Sequence, residues 1–380
     1  MSINTTQEMR ETEICLAKHG GNVYAIAKKL HKLPSDFIDF SGTSHAFANS
    51  ITTKLAQATP YPLEHYPDSD CLALRESLAL HEGCKTEELL VGNGSAELIW
   101  PALTTLAPRK ILFIGPLFSE YVRAAMLLGI EYDLLAPPDS REFLCGPAEL
   151  RVMRESHADL AVLCTPNNPG AFTYPNIREL FDNLRIPRIL IDNSYREFLF
   201  GQSDYAHNGY LAYAQNLAQT GVSVFSLNSF TPFFACPGLR LGYLVGDARS
   251  LARMAQRRPP WAVSPYAQDL GICFLEKISL YRDALHSLRR WRHEMTVNLR
   301  RNACFDTDYV FEGTSFLTAK LAHRAPANLA AEKLLRQGLI VRDCDTIPGM
   351  PKGYLRIQVR PERDIEVLFN ALDWHAERGW

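Results

Sequence analysis

The sequence predicts an α/β protein, with a large domain built on a mainly parallel sheet between helices and a smaller α+β domain after it. The chain has 380 residues, and at roughly 150 residues per domain this length favours two domains. In the middle of the chain, short apolar runs alternate with amphipathic segments, which is typical of a parallel sheet covered by helices. From about residue 279 a long charged segment replaces this alternation. We therefore expect an N-terminal segment (1–50) that packs on the small domain, a large domain (51–278) and a C-terminal small domain (279–380).

Six apolar runs are the predicted strands of the large domain. They are Leu89–Gly92, Ile111–Ile114, Leu160–Cys164, Ile189–Ile191, Val222–Ser226 and Leu241–Val245. Helices are expected near Ala96–Leu106, Ser119–Leu128, Ile177–Leu184 and Tyr210–Leu217. Ligands of such sheets bind at the carboxyl ends of the strands. The Gly, Asn, Ser and Asp residues that follow these runs therefore predict a ligand site.

The C-terminal region predicts an antiparallel sheet with helices. A charged helix is expected from Leu280 to about Asn302, and another near Asn328–Gln337, with Asn328 as its N-cap and Gly338 as its end. A final helix is expected from Asp364. The predicted strands are Tyr309–Phe311, Phe316–Leu321, Leu339–Val341 and Tyr354–Val359.

Composition and charge argue against several classes of protein. The chain has 40 Lys and Arg against 42 Asp and Glu, a formal net charge of −2, which removes the case for a nucleic-acid or anionic-membrane partner. No apolar run is long enough for a membrane span, and the N-terminus lacks the apolar core of a signal peptide. The nine cysteines are scattered without a Cys-x-x-Cys pair, so we expect neither a metal site nor a disulfide framework. A cytoplasmic protein is predicted.

Residues at several predicted strand ends form a candidate ligand site. Gly94 and Ser95 open a predicted helix, whose free N–H groups suit a phosphate. Arg240 offers a bidentate positive charge to the same phosphate. Asp192 ends an apolar strand, where a carboxylate is costly unless a cation pairs with it. Phe118 follows another strand end and is placed to stack on a planar ring.

Ordered motifs along nearly the whole chain carry a family resemblance. They are His19-Gly20-Gly21-Asn22, Tyr66-Pro67-Asp68, Gly92–Glu97, Pro166–Gly170, Phe230–Ala235, Pro237–Tyr243 and Tyr354–Ile357. With these motifs the chain resembles the fold-type I pyridoxal-phosphate aminotransferase superfamily, and within it the threonine-phosphate decarboxylases and histidinol-phosphate aminotransferases. The resemblance implies the fold-type I PLP-transferase architecture and pyridoxal 5'-phosphate as the cofactor.

The resemblance also implies roles for individual residues. The implied cofactor contacts are Gly94, Ser95, Ser229 and Arg240 at the phosphate, Asp192 at the pyridinium nitrogen, Phe118 on the ring face, and Asn168 and Tyr195 at the ring 3-oxygen. Tyr66 would reach the phosphate from the neighbouring subunit, which implies a homodimer. Arg356 would bind a substrate carboxylate, and His19 and Asn22 are candidates for a substrate phosphate. Structural alternatives remain open: Asn168 as a turn residue, Arg356 as a surface arginine, and His19 as a purely structural residue.

The chain departs from the family at the residue that binds the cofactor covalently. The family's Schiff-base lysine lies eight residues before the phosphate-binding arginine, and counting back from Arg240 gives Pro232. No lysine occurs between Lys110 and Lys277. The site therefore lacks an amine to tether the cofactor and to move the proton at Cα, and loss of a general acid or base typically costs about 10²–10⁴ in rate. Transamination is disfavoured, whereas decarboxylation is less demanding, because loss of CO₂ itself generates the carbanion.

A second departure lies in residues 42–45. This segment reads Gly-Thr-Ser-His, where the decarboxylases usually show a form of ANINP. In relatives it lines the substrate side, so the substrate of this chain is expected to differ.

Three functions are compatible with the sequence. In the first, the protein binds pyridoxal 5'-phosphate, or its amino-acid aldimine, noncovalently and acts on a small, possibly phosphorylated, amino acid as a lyase. In the second, it is a catalytically inactive paralogue with a regulatory or scaffolding role. In the third, the pocket serves chemistry without the cofactor. The first two are favoured, because a pocket freed from the cofactor has little need for both a phosphate cradle and an acid facing a pyridinium.

Overall fold

A computed structural model describes residues 19–60, 64–174, 177–202, 209, 212–213, 217 and 221–380. In these ranges the helices are α1 (Val23–Lys29), α2 (Asn49–Ala58), α3 (Leu72–Glu82), α4 (Ser95–Leu106), α5 (Ser119–Leu127), α6 (Pro147–Glu155), α7 (Ile177–Asn183), α8 (Phe230–Phe233), α9 (Ala248–Ala255), α10 (Pro265–Glu276), α11 (Ile278–Asp283), α12 (Leu285–Arg301), α13 (Ala327–Arg336) and α14 (Glu362–Arg378). The strands are β1 (Ile38–Asp39), β2 (Leu89–Gly92), β3 (Lys110–Ile114), β4 (Glu131–Leu135), β5 (Leu160–Cys164), β6 (Arg188–Asp192), β7 (Ser223–Ser229), β8 (Gly242–Val245), β9 (Phe305–Glu312), β10 (Phe316–Leu321), β11 (Leu339–Ile340), β12 (Arg342–Asp343) and β13 (Tyr354–Gln358).

A seven-stranded sheet carries the middle of the chain, in the order β2-β8-β7-β6-β5-β3-β4. Strands β4, β3, β5, β6 and β7 run parallel, and β8 runs antiparallel to both of its neighbours. The predicted mainly parallel sheet is therefore confirmed. Edge strand β4 is absent from the predicted strands, because Glu131 and Asp133 interrupt its apolar pattern.

Strand β7 is longer than predicted. It was expected to end at Ser226 but continues to Ser229, because the ladder to β8 continues, with Asn228 opposite Tyr243 and Ser229 opposite Gly242. The carboxyl end of this strand is therefore Ser229 itself, one of the predicted phosphate ligands.

A four-stranded antiparallel sheet in the order β12-β13-β10-β9 follows in the C-terminal region, which confirms the predicted antiparallel sheet. The predicted strand Leu339–Val341 was wrong as a member of it, because β11 pairs elsewhere and Arg342–Asp343 (β12) supplies the fourth strand. Near the N-terminal end of the described chain, β1 pairs in parallel with β11, with Ile38 opposite Leu339. The predicted helix from Leu280 is divided into α11 and α12 at Ala284.

The predicted cap of α13 was wrong. Pro326 is the N-cap, and Asn328 lies inside the first turn. The extended backbone of Pro326 (ψ 131°) suits the residue before a helix, so the helix begins earlier than the asparagine suggested. The predicted end is confirmed, since Gly338 follows with a φ of +82°, a conformation that favours glycine.

Apolar side chains bury both faces of the seven-stranded sheet. Along β3, Ile111 and Phe113 join a cluster with α4 and α5, whereas Leu112 and Ile114 join the opposite cluster with α6 and α7. Each such fully buried side chain stabilises the fold by about 1.5–3 kcal/mol relative to exposure. The strand ends are thus fixed on a rigid, two-sided core.

Three other expectations concern the chain as a whole. The helix predicted near Tyr210–Leu217 lies mostly outside the described residues. The cysteines that the structure describes are all free. Within the same residues, every helix is too short or too polar to cross a bilayer.

We predict that Gly242→Ala destabilises the fold. A Cβ at Gly242 would lie 2.4 Å from the backbone nitrogen of Ser95 and 2.9 Å from the carbonyl oxygen of Asn228, so β8 and the start of α4 must move apart. Overpacking of this kind typically lowers the free energy of unfolding by about 1–3 kcal/mol, measurable by urea denaturation. Gly238→Ala is the control, because a Cβ there meets nothing within 4 Å; equal effects of the two variants would contradict the prediction.

Candidate functional site

A cavity of about 460 Å³ lies at the carboxyl ends of the parallel strands. Its walls come from the ends of β5, β6 and β7, from β12 and β13, and from the segment that follows β1. Most of the residues predicted from the sequence line it: His19, Ser95, Phe118, Asn168, Asp192, Tyr195, Ser229, Pro232, Arg240 and Arg356. The fold thus brings together side chains that are up to 337 positions apart, from His19 to Arg356.

The N-terminus of α4 and Arg240 form one end of the cavity. Gly94 is the N-cap of α4, with a φ of +81°, and a Cβ there would lie only 2.5 Å from Nη2 of Arg240. Glycine therefore allows the guanidinium to approach the helix N-terminus. Ser95 and Ser229 line the same cavity. Backbone N–H groups, hydroxyls and a guanidinium together have the chemistry of an anion site.

An ion pair that the sequence analysis missed holds this turn. Glu97 accepts a hydrogen bond from the Asn93 backbone nitrogen at 2.7 Å. Arg258 donates to both oxygens of the Glu97 carboxylate, at 2.8 and 3.1 Å, and also to the Val91 carbonyl. The loop between β2 and α4 is therefore fixed from the side of α9.

Asp192 is a buried carboxylate in the cavity wall. Its oxygens accept hydrogen bonds from the Tyr121 hydroxyl at 3.0 Å and from the Ser194 backbone nitrogen at 3.1 Å. No cation of the described chain lies within ion-pair distance of it. Burial raises the pKa of Asp192, and the bonds from Ser194 and Tyr121 only partly offset this rise. A carboxylate in this position is stabilised by a cationic ligand.

Arg356 connects the two strand layers at the other end of the cavity. It donates from Nη1 to Oδ1 of Asn168 at 2.6 Å and from Nη2 to the Ser41 carbonyl at 2.8 Å, while its buried Nε has no hydrogen-bond partner. Arg342 lies opposite it on β12 and lines the cavity too. Burial and the charge of Arg356 lower the pKa of Arg342. Two neighbouring guanidinium groups favour an anionic ligand.

Tyr195 is a buried phenol bonded on both sides. Its oxygen accepts from Nδ2 of Asn168 at 2.7 Å, and its hydroxyl donates to Oγ1 of Thr43 at 2.9 Å. Burial raises the pKa of Tyr195 to about 12, against the opposing effect of the Arg356 charge. Tyr195 is therefore neutral at physiological pH.

Pro232 occupies the position where the family's lysine was expected. It lies in the short helix α8, lines the cavity, and accepts a hydrogen bond on its carbonyl from the His45 backbone nitrogen at 2.8 Å. No lysine is among the residues that line the cavity in the described chain. This wall offers no amine to a ligand.

Three predicted residues have other partners in the structure. Asn22 caps α1 through a 3.3 Å bond from the Ala25 nitrogen and does not line the cavity. Tyr66 is 79% exposed and stacks on Trp261 at 4.6 Å, so it does not reach the cavity of its own chain. His19 lines the cavity, bonded to Glu120 at 2.9 Å.

Among the residues that line the cavity and had no role predicted from the sequence are Thr43, Arg342, Gln358 and Arg360. Spacing is the signal that points to part of this set. Arg356 and Gln358 alternate along β13, so their side chains share a face, and Arg360 continues the same spacing two residues after the strand ends. Polar residues at every second position of a strand whose other residues are apolar mark that face as the wall of a site.

The chain is similar to known proteins over most of its length. The model of the family "Aminotransferase class I and II" matches residues 39–372. A threonine-phosphate decarboxylase of Salmonella typhimurium is 28% identical, covering 93% of this chain and 95% of its own. A histidinol-phosphate aminotransferase of Desulfitobacterium hafniense is 31% identical, with 81% and 82% covered. The solved structure of a histidinol-phosphate aminotransferase from Sinorhizobium meliloti, in complex with pyridoxal 5'-phosphate, superposes with a TM-score of 0.78 at 16% identity, covering 98% of this chain and 99% of that one.

His45, beside Pro232, is a buried imidazole in an aromatic cluster. Its ring centre lies 5.7 Å from that of Phe198, 6.1 Å from Phe233 and 6.5 Å from Phe47. Burial lowers the pKa of His45 to about 4. The folded state therefore favours the neutral ring.

We predict that His45 makes the fold acid-sensitive. Since its folded pKa lies below the unfolded value near 6.5, its contribution is complete above pH 6.5 and is lost as pH falls toward 4, by roughly 3 kcal/mol in total. In His45→Phe the free energy of unfolding, measured by urea denaturation between pH 7 and 4, should fall less steeply. His293→Phe, at a 73% exposed side chain, should keep the wild-type slope; an unchanged slope in His45→Phe would contradict the prediction.

Proposed function

Because the chain belongs to the class I and II aminotransferase family, we propose that it binds pyridoxal 5'-phosphate without a covalent bond and acts on a small, phosphorylated amino acid as a decarboxylase-like lyase. One observation carries the proposal. Asp192, a buried carboxylate with no cation partner in the described chain, shares a cavity with the anion site at α4 and with Pro232. Pro232 stands where the family resemblance implies the lysine. The charges suited to the cofactor are present without the amine that would tether it.

The charges and polar groups of the cavity support this cofactor. Its phosphate would be held by the anion site, formed by Gly94, Ser95, Ser229 and Arg240. Asp192 would pair with the pyridinium nitrogen, and Phe118 would cover a ring face. Asn168 and Tyr195 would lie at the ring 3-oxygen. When bound, the protonated ring supplies an electron sink for bond cleavage at the substrate Cα.

Two arginines at the end of the cavity opposite the anion site support the proposed class of substrate. Arg356 keeps a buried N–H without a partner, which would bind a carboxylate, and Arg342 beside it would bind a second anionic group. The names of the relatives support a phosphorylated substrate, since threonine phosphate and histidinol phosphate both carry such a group. His19 would contact this phosphate from the cavity wall, and Asn22 stays a weaker candidate because its side chain caps α1.

The reaction class follows from the missing amine. Transamination requires a group that removes the Cα proton and returns it across the ring, and Pro232 cannot do so. Decarboxylation does not require removal of that proton. Of the two reactions, decarboxylation by a lyase is therefore more compatible with a cavity wall that lacks an amine.

We also propose that the protein is a cytoplasmic homodimer. Each chain would consist of an N-terminal segment (1–50), a large domain (51–278) and a small domain (279–380). Tyr66 would reach the phosphate of the second copy, which is consistent with its exposure and with its absence from the lining of the cavity in its own chain. A catalytically inactive paralogue that binds the cofactor is the second candidate function, favoured by Pro232. Release of CO₂ from a phosphorylated amino acid, with cofactor bound, separates the two.

We predict that the wild-type chain binds pyridoxal 5'-phosphate reversibly. Dialysis should remove the cofactor, and borohydride treatment followed by peptide mass mapping should find no pyridoxyl group in the peptide that contains residue 232. Pro232→Lys should acquire that group, because the new amine stands in a cavity suited to the cofactor. Pro232→Ala is the matched control, which removes the proline ring without adding an amine. A wild-type chain that binds no cofactor, or a Pro232→Lys chain that stays unmodified, would contradict the proposal.

We also predict that Asp192→Asn weakens cofactor binding. Loss of the charged partner of the pyridinium should raise the Kd by roughly 10- to 100-fold, as for other hydrogen bonds to charged groups. The Kd is measured by titration of the cofactor absorption. Asp133→Asn serves as the control. Asp133 lies on edge strand β4 and pairs with Lys110 of β3, so the Kd of this variant for the cofactor should match that of the wild type. Equal affinities of Asp192→Asn and wild type would remove the main support for the proposed function.

A further inference from the structure

Hydrogen bonds join four side chains of the cavity in a series, and each side chain donates to the next. Arg356 Nη1 donates to Asn168 Oδ1 at 2.6 Å, Asn168 Nδ2 donates to Tyr195 at 2.7 Å, and Tyr195 donates to Thr43 Oγ1 at 2.9 Å. In a chain of this kind each bond polarises the next. We call these four side chains the relay; it starts at a cation and ends at the Thr43 hydroxyl.

The last proton of the relay has no acceptor in the described chain. Thr43 Oγ1 accepts from Tyr195, and its own hydrogen is donated to no described group. Thr43 lines the cavity, so this hydrogen is available to a ligand there. The single O–H of Tyr195, in contrast, is already used by Thr43.

The backbone around Thr43 is fixed from β13. Arg356, Gln358 and Arg360 share one face of this strand region, and each donates to a carbonyl of residues 39–44: Ser41 at 2.8 Å, Ser44 at 2.6 Å and Asp39 at 3.1 Å. The carbonyl of Thr43 itself accepts from the Ser315 hydroxyl. The position of Thr43 is therefore set before any ligand binds, which lowers the entropic cost of using it.

We propose that Thr43 is a binding residue for the cofactor, and that its hydroxyl donates to the ring 3-oxygen. The inference rests on the proposed function, which places this oxygen beside Asn168 and Tyr195. An anionic oxygen there is the natural acceptor for a hydroxyl polarised by the Arg356 charge. The ring oxygen and Arg356 are then coupled through the relay, so an anion bound at Arg356 changes the affinity for the ring, and the reverse holds equally.

The role proposed for Thr43 offers a physical reason for the difference between residues 42–45 and the decarboxylase pattern. The segment differs from the decarboxylase pattern at the point where the relay ends, and a hydroxyl takes the terminal position. In a chain without a tethering lysine, each noncovalent contact to the cofactor contributes a larger share of its total affinity. Thr43 supplies one such contact.

The test measures the Kd of pyridoxal 5'-phosphate and of its 3-deoxy analogue in three chains: wild type, Thr43→Val and Thr43→Ser. Valine keeps the shape and removes the hydroxyl, and serine keeps the hydroxyl. For pyridoxal 5'-phosphate, Thr43→Val should raise the Kd roughly 10-fold, while Thr43→Ser stays within about threefold of wild type. For the 3-deoxy analogue, wild type and Thr43→Val should differ by less than about twofold, because the acceptor is gone.

Each contrary result has a distinct meaning. If Thr43→Val binds pyridoxal 5'-phosphate as well as wild type, or if serine and valine weaken binding equally, Thr43 does not donate to the ligand. If the analogue is as sensitive to Thr43→Val as the cofactor, the acceptor is not the ring 3-oxygen. All three results overturn this inference and leave the proposed function intact. A wild-type chain that binds neither compound overturns both.

A double-mutant cycle tests the relay. Tyr195→Phe removes the hydroxyl that orients Thr43, so in that background Thr43→Val should raise the Kd of pyridoxal 5'-phosphate by no more than about threefold, because contacting residues do not act additively. An unchanged 10-fold effect in the Tyr195→Phe background would show that Thr43 acts alone and would overturn the relay.

Discussion

The uncompensated charge of Asp192 is the constraint on which the rest of the site depends. A carboxylate at the end of a central, fully buried strand is costly without a cation, and the hydrogen bonds from Tyr121 and Ser194 only partly offset that cost. The sheet tolerates it because Asp192 lies at the carboxyl end of β6, where the cavity begins. A cationic ring bound in the cavity would complete the pairing, which gives the cofactor its proposed orientation.

Pro232 changes what this arrangement can do. The proposed function places Pro232 where the family resemblance implies a lysine, and a proline side chain has no amine that could tether a cofactor or transfer a proton. The chain nevertheless belongs to the class I and II aminotransferases and has their fold-type I architecture, as the sequence predicted. Since the carbonyl of Pro232 is bonded to the backbone of His45, itself buried among aromatic rings, the proline is integrated into the packing of the cavity wall.

Arg356 joins the parts of the cavity that the two sheets provide. From β13 it reaches Asn168 at the end of β5 and Ser41 after β1, so a single guanidinium fixes three segments. Its neighbours Gln358 and Arg360 bind the same segment after β1. This end of the cavity is therefore stabilised mainly by side-chain donors to backbone carbonyls, and a ligand bound there must share these donors with the protein.

The sequence by itself determined the fold class, most of the strands and the set of polar residues at the strand ends, because alternating apolar runs and local turn residues are recorded in short segments. It also determined the absence of a lysine. The sequence did not predict three features that depend on neighbouring parts of the structure. These are edge strand β4, the extension of β7 along β8, and the N-cap of α13. Only the tertiary structure decided the relay, since Tyr195 and Thr43 are 152 positions apart and Arg356 and Asn168 are 188 apart. Contacts of this length depend on how two sheets pack, and no local pattern encodes them.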